Sequence, residues 1–132
     1  MVNSMEQERY DEVRILLVTD DSASLHAISQ IFNHHPEFVV VATVSGCMPA
    51  VEQAIYLKPR IILIDLDLKS GSERETISCL RRELQDTAII ALSLSDLPIY
   101  WNTAIEAGAN EVIHKLSITS DLIPACRRLI KK

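Results

Sequence analysis

The stretch Ile61-Ile62-Leu63-Ile64-Asp65-Leu66-Asp67 decides how this chain folds. Four consecutive large apolar residues, three of them β-branched, suit a strand buried on both faces of a parallel sheet. The run ends at a carboxylate. In an open α/β sheet, ligands bind beyond the carboxyl ends of the strands, which sets Asp65 at the mouth of a crevice. An acidic residue that merely stops a strand in solvent would look the same in isolation, so the other strand ends must separate the two.

Upstream, Arg14-Ile15-Leu16-Leu17-Val18-Thr19 has the same buried-strand character and runs directly into Asp20-Asp21. Ser22 follows, then Leu25, Ile28, Ile31 and Phe32 at helical spacing, so a first helix departs from the acidic pair. The His34-His35 pair and Pro36 close it. Phe38-Val39-Val40-Val41-Ala42-Thr43-Val44 is a β-branched second strand. Pro49 suits the first turn of a second helix, with Val51, Ala54, Ile55 and Leu57 inward.

Downstream, Ser72-Glu73-Arg74-Glu75 has the form of a capping box and opens a third helix with Ile77, Leu80 and Leu84 inward. Ala88-Ile89-Ile90-Ala91-Leu92-Ser93 is a fourth strand. Asp96 caps a fourth helix that has Pro98 in its first turn and faces the core with Leu97, Trp101, Ala104 and Ile105; Gly108 then takes the left-handed position. Glu111-Val112-Ile113-His114 is a short fifth strand ending at Lys115. In the last helix Leu122, Cys126, Leu129 and Ile130 point inward, and the basic residues at its end complement the helix dipole. A proline in a helix interior costs about 3 kcal/mol, so Pro124 predicts a late start near Ser120 or Asp121. Five βα units in series predict one parallel sheet with helices on both faces and right-handed crossovers.

The 132 residues, 48% hydrophobic with only three glycines, make one compact domain, residues 13–132, behind a polar leader, residues 1–12. A formal charge of −5 is a poor footprint for nucleic acid, so none is expected to bind through this domain. No apolar run approaches the roughly 20 residues that span a bilayer, and no signal peptide opens the chain. Cys47, Cys79 and Cys126 are odd in number, widely spaced and helical, which favours buried hydrophobes over metal or disulfide frameworks and a reducing cytoplasm as the compartment. His26, His34, His35 and His114 form no ligand set.

Polar residues thus stand at the carboxyl ends of four of the five strands: Asp20 and Asp21, Asp65, Ser93 and Lys115. In the strand order 2-1-3-4-5, strands one and three are neighbours at the topological switch point, so the three carboxylates would converge. Such a cluster is costly unless a hard cation such as Mg²⁺ neutralises it. Ser93 offers a hydroxyl and Lys115 a compact positive charge, the groups needed around an added phosphoryl oxygen. Aspartyl phosphate is a known form of covalent catalysis by carboxylate.

With those residues in place, the chain from about Val13 to Ile130 resembles the receiver domain of bacterial two-component response regulators. The resemblance implies a flavodoxin-like doubly wound fold and a role as phosphoacceptor rather than enzyme. It matches Asp65 to the phosphoacceptor; Asp20, Asp21, Asp65 and the backbone carbonyl of Asp67 to the Mg²⁺ ligands; and Ser93 and Lys115 to the phosphoryl-binding pair. The implied partner is a sensor histidine kinase or phosphotransfer protein. Its implied output runs through the face of the fourth helix, fifth strand and fifth helix, toward an output domain, a downstream protein or a second copy. The segments His35–Val40 and Gly108–Lys115 look most like the subfamily with a C-terminal helix-turn-helix domain. No such domain follows Lys132, so this is either a stand-alone receiver or the receiver part of a longer chain.

The departures from the family pattern are specific. Lys69 and Glu73 stand where proline and glycine are usual, Leu94 where a small residue follows the hydroxyl, and Leu116 where proline often follows the lysine. Val112 matches the aromatic switch position and cannot swing a ring, so a muted response is expected, and Leu94 is expected to crowd the approach to Asp65. A cis bond before leucine costs about 2.5–4 kcal/mol, so Lys115-Leu116 should be trans. Two other readings stay open. One is a phosphorylation-independent receiver acting as an interaction module. The other is a phosphatase of haloacid-dehalogenase type, with Asp65 as nucleophile and Asp67 as general acid, although that motif belongs on a first strand.

Overall fold

The computed structural model describes residues 12–67 and 71–131. Five strands, β1 (Val13–Val18), β2 (Phe38–Val44), β3 (Ile61–Asp65), β4 (Ala88–Ser93) and β5 (Glu111–His114), alternate with five helices. These are α1 (Ser22–Asn33), α2 (Cys47–Leu57), α3 (Glu73–Glu83), α4 (Pro98–Ala107) and α5 (Ile118–Ile130). The strands pair in parallel, as the alternation of elements predicts, and in the order β2-β1-β3-β4-β5 that the flavodoxin-like reading expects. The proposed leader falls on residues of which 1–11 lie outside the described set, as does the loop position Lys69.

The continuous apolar runs follow from burial on both faces. Ile15, Leu17, Leu63 and Ile90 pack with Ile28 and Phe32 of α1 and Leu122 and Cys126 of α5. On the opposite face, Leu16, Val18, Ile62, Ile64 and Ile89 pack with Ala54 of α2, Ile77 and Leu80 of α3, and Ala104 of α4. All five residues of β3 are buried, including its terminal aspartate. The register sets Val18 beside Ile64, Asp65 beside Leu92, and Ser93 beside His114, so the strand ends are level at one rim.

Several local expectations need correction. The last helix starts at Ile118, after a 3-10 turn at Lys115–Ser117, and Pro124 lies in its interior. Pro124 and Ser120 are both exposed, so the carbonyl that loses its N–H partner stands on the solvent side, where water can replace the bond. α4 is capped by Leu97, not Asp96, with Pro98 at its first position. Leu97 precedes the helical phase and is 54% exposed, and Ile105 lies off the inward stripe of half-buried Trp101 and buried Ala104. Ile55 of α2 is likewise exposed. Ser72 is the N-cap of α3, but its side chain makes no cap bond; its carbonyl instead accepts the Thr76 hydroxyl at 2.8 Å.

The Lys115-Leu116 bond is trans, as expected, since no cis peptide occurs among the described residues. Of the three helical cysteines only Cys126 is fully buried, and burial pushes its thiol up to about 12. Among the described residues no helix is long and apolar enough to cross a membrane.

Candidate functional site

The level strand ends create the site. Asp65 ends β3 and is 1% exposed. A carboxylate in that position must be hydrogen-bonded or paired to remain there, and both of its oxygens are. Oδ1 accepts the Lys115 ammonium at 2.7 Å and the Asp67 backbone N–H at 2.8 Å. Oδ2 accepts the Thr19 hydroxyl at 3.0 Å. Lys115 arrives from the end of β5 and also reaches Asp67 Oδ2 at 3.1 Å. Burial alone would lower the ammonium pKa, but the hydrogen bonds and charges of Asp65 and Asp67 outweigh it and hold the pKa above the usual lysine value.

The acidic pair after β1 is exposed. Asp21 is the N-cap of α1. Its carboxylate accepts the Ser24 hydroxyl at 2.8 Å and the backbone N–H groups of Ala23 and Ser24, and the Ser24 bond leads in holding its pKa below the usual value. Its own N–H donates to Thr19 Oγ1 at 3.1 Å. Thr19 therefore ties the acidic loop to Asp65 across two neighbouring strand ends. In the sequence Thr19 reads only as the last residue of a strand, and the signal for its role is a hydroxyl directly ahead of an acidic pair.

Ser93, at the end of β4, is buried, but its hydroxyl donates to Ser95 O at 2.9 Å and accepts Ser95 N–H at 3.0 Å. The Trp101 indole also donates to Ser95 O, at 2.6 Å. This loop therefore closes on itself and on α4, and Ser93 is not among the partners of Asp65. Leu94 turns its side chain outward, 59% exposed, while its N–H donates to Asp67 Oδ2 at 3.1 Å and its carbonyl meets His114 Nε2 at 3.0 Å. Val112 is half-buried on β5 beside Ala91.

The structure thus joins Asp65, Lys115, Asp67 and Thr19, with Asp21 linked through Thr19. The oxygen donors at this rim, carboxylates and backbone carbonyls, are those a hard cation takes. They are not drawn together as a metal cage: among the described residues no three acidic, histidine or cysteine side chains form such a group. In this arrangement Asp21 caps a helix and Asp65 holds Lys115.

A model of the response regulator receiver domain matches residues 15–127. The chain belongs to that family. Curated relatives of the receiver include a nitrate/nitrite response regulator protein homolog of Haemophilus influenzae, 30% identical over 90% of this chain and 57% of that protein. The nitrate/nitrite response regulator protein NarP of Escherichia coli is 30% identical over 86% of this chain and 53% of that protein. The chain therefore spans about half the length of these relatives. In fold it matches the response regulator domain of Thermotoga maritima CheB, with a TM-score of 0.81 at 22% identity over 92% of this chain and 98% of that one. A LuxR-family two-component response regulator from Aurantimonas sp. SI85-9A1 gives 0.82 at 23% identity, over 89% and 84%. The receiver family and the place of Asp65 on the third strand together set aside the phosphatase reading.

Proposed function

We propose that this receiver takes a phosphoryl group onto Asp65 from a histidine kinase or phosphotransfer protein in a two-component relay. The observation that supports this most is the buried Asp65 carboxylate at the end of β3 with the Lys115 ammonium 2.7 Å away. An Asp65 oxygen attacks the phosphorus of a phosphohistidine, the P–N bond breaks, and the imidazole leaves with its electron pair and takes up a proton. Lys115 supplies fixed positive charge where the transferred oxygens gather, the preorganised electrostatics that phosphoryl transfer requires. Ser93 joins by turning its hydroxyl from Ser95 toward the phosphoryl group.

Receiver domains of this family typically use Mg²⁺. Here Asp20, Asp21, Asp65 and the Asp67 carbonyl would hold it, and the ion would neutralise clustered negative charge. Its binding requires Asp21 and Asp65 to leave part of their present hydrogen bonding. Leu94 at the rim and Val112 on β5 set access and response. The domain works in the cytoplasm without nucleic-acid contact of its own. It is not an enzyme beyond gaining and losing its own phosphoryl group, and it signals through α4, β5 and α5 to an output domain, a downstream protein or a second copy. The exposed Leu97, Ile99 and Tyr100 at the start of α4 favour a protein partner.

The test is intact mass after incubation with Mg²⁺ and a small acyl phosphate. The parent should gain one phosphoryl mass and Asp65→Asn none; equal labelling of the two would overturn the assignment. A second reading, a receiver that acts without phosphorylation, draws on the fully bonded state of Asp65 and on Val112, and predicts no labelling of the parent at all.

A further inference from the structure

The donors that face Asp65 are already in use by a neighbouring anion. Lys115 Nζ lies 2.7 Å from Asp65 Oδ1 and 3.1 Å from Asp67 Oδ2. The same Asp67 oxygen accepts the Leu94 N–H at 3.1 Å. One ammonium from the end of β5 and one amide from the end of β4 thus converge on a carboxylate two residues beyond Asp65. A phosphoryl group on Asp65 needs donors in this same space.

We propose that the Asp67 side chain is a built-in competitor of the phosphoryl group and a latch on the loop after β4. The proposal rests on Asp65 being the phosphoacceptor. A phosphoryl group carries up to two negative charges, and once Asp65 is an acyl phosphate that group cannot share Lys115 with the Asp67 carboxylate without strong repulsion. Asp67 yields, because the phosphoryl group is tethered to a residue 1% exposed, whereas the Asp67 side chain is 33% exposed and can swing to water. Its departure frees the Leu94 N–H for a phosphoryl oxygen. The loop that carries Leu94 also carries Ser95, to which both Ser93 and Trp101 are bonded. Occupancy at Asp65 therefore reaches α4 through a backbone amide, with no rotating aromatic at Val112.

Two substitutions separate the parts of this device. Asp67→Asn removes the charge but keeps an oxygen for the Leu94 N–H; Asp67→Ala removes both. The parent and both variants are incubated with Mg²⁺ and acetyl phosphate, labelling is followed by intact mass, and the Leu94 amide is followed by ¹H–¹⁵N NMR. Both variants should label about fivefold faster, the factor that a partly exposed ion pair is worth. In unlabelled protein the Leu94 amide should keep its position in Asp67→Asn and shift, with lost exchange protection, in Asp67→Ala. Labelling of the parent should also shift it. Variants that label no faster than a parent that does label would overturn the competitor and leave Asp65 as acceptor. An unmoved Leu94 amide in Asp67→Ala would overturn the latch whatever the rates. If neither parent nor variants label, the acceptor assignment and this inference both fail.

Discussion

Replacing Thr19 by valine removes one hydroxyl while preserving the shape of a buried side chain. Thr19 is 5% exposed, and its Oγ1 donates to Asp65 Oδ2 at 3.0 Å and accepts the Asp21 N–H at 3.1 Å. The first bond goes to a buried carboxylate, and bonds to charged groups contribute about 1.5–3 kcal/mol. The second partner, Asp21, is exposed, so water takes over at little cost. The added methyl offsets less than about 1 kcal/mol. The expected net loss is about 1–2 kcal/mol, which lowers Tm by roughly 3–8 °C for a domain of this size. The assay is urea unfolding at pH 7 in EDTA of parent, Thr19→Val, Thr19→Ser, Asp65→Asn and the Thr19→Val/Asp65→Asn double variant. Serine should restore most of the loss. In the Asp65→Asn background valine should cost less, with a coupling of about 1 kcal/mol. A full-strength effect in both backgrounds, or none in the parent, would refute the bond as the cause.

Gly108 has φ +131°, and a Cβ there would meet Arg81 Cβ at 2.7 Å, so Gly108→Ala should lose about 2–4 kcal/mol in the same unfolding assay; a loss below about 1 kcal/mol would mean the loop relaxes freely. The raised pKa of Lys115 implies that its pairing stabilises the fold fully below the unfolded lysine value of about 10.4 and is lost as pH rises through the folded value. The stability gap between parent and Lys115→Met in EDTA should therefore hold steady from pH 7 to 10 and close above that; closure below pH 9 would count against the pairing. Leu94→Ala should label faster than the parent, because the side chain at the rim sets access to Asp65. An unchanged rate would remove the 59% exposed Leu94 as a gate.

Much of this protein is determined by its sequence alone. A strand covered on both faces has to be apolar throughout, so Ile61–Ile64, Ile15–Val18 and Ala88–Leu92 announce a parallel sheet without any long-range information. Because ligands gather beyond carboxyl strand ends, the shared rim of Asp65 and Lys115 was legible in outline, but their direct pairing was not. The side-chain hydrogen bonds were decided only by tertiary structure. Thr19 meets Asp65 across 46 residues because β1 and β3 are adjacent and in register. Ser93 turns to Ser95, Asp21 to the first turn of α1, and Asp67 inward to Lys115, each choosing among partners that residue type does not distinguish. Likewise Pro124 sits in the interior of α5 with Ser120 and Pro124 both on its solvent side, a fact of packing that helical propensity does not contain. Apolar periodicity is a property of the chain, whereas the partner of a given donor depends on rotamer and strand adjacency, which exist only after folding.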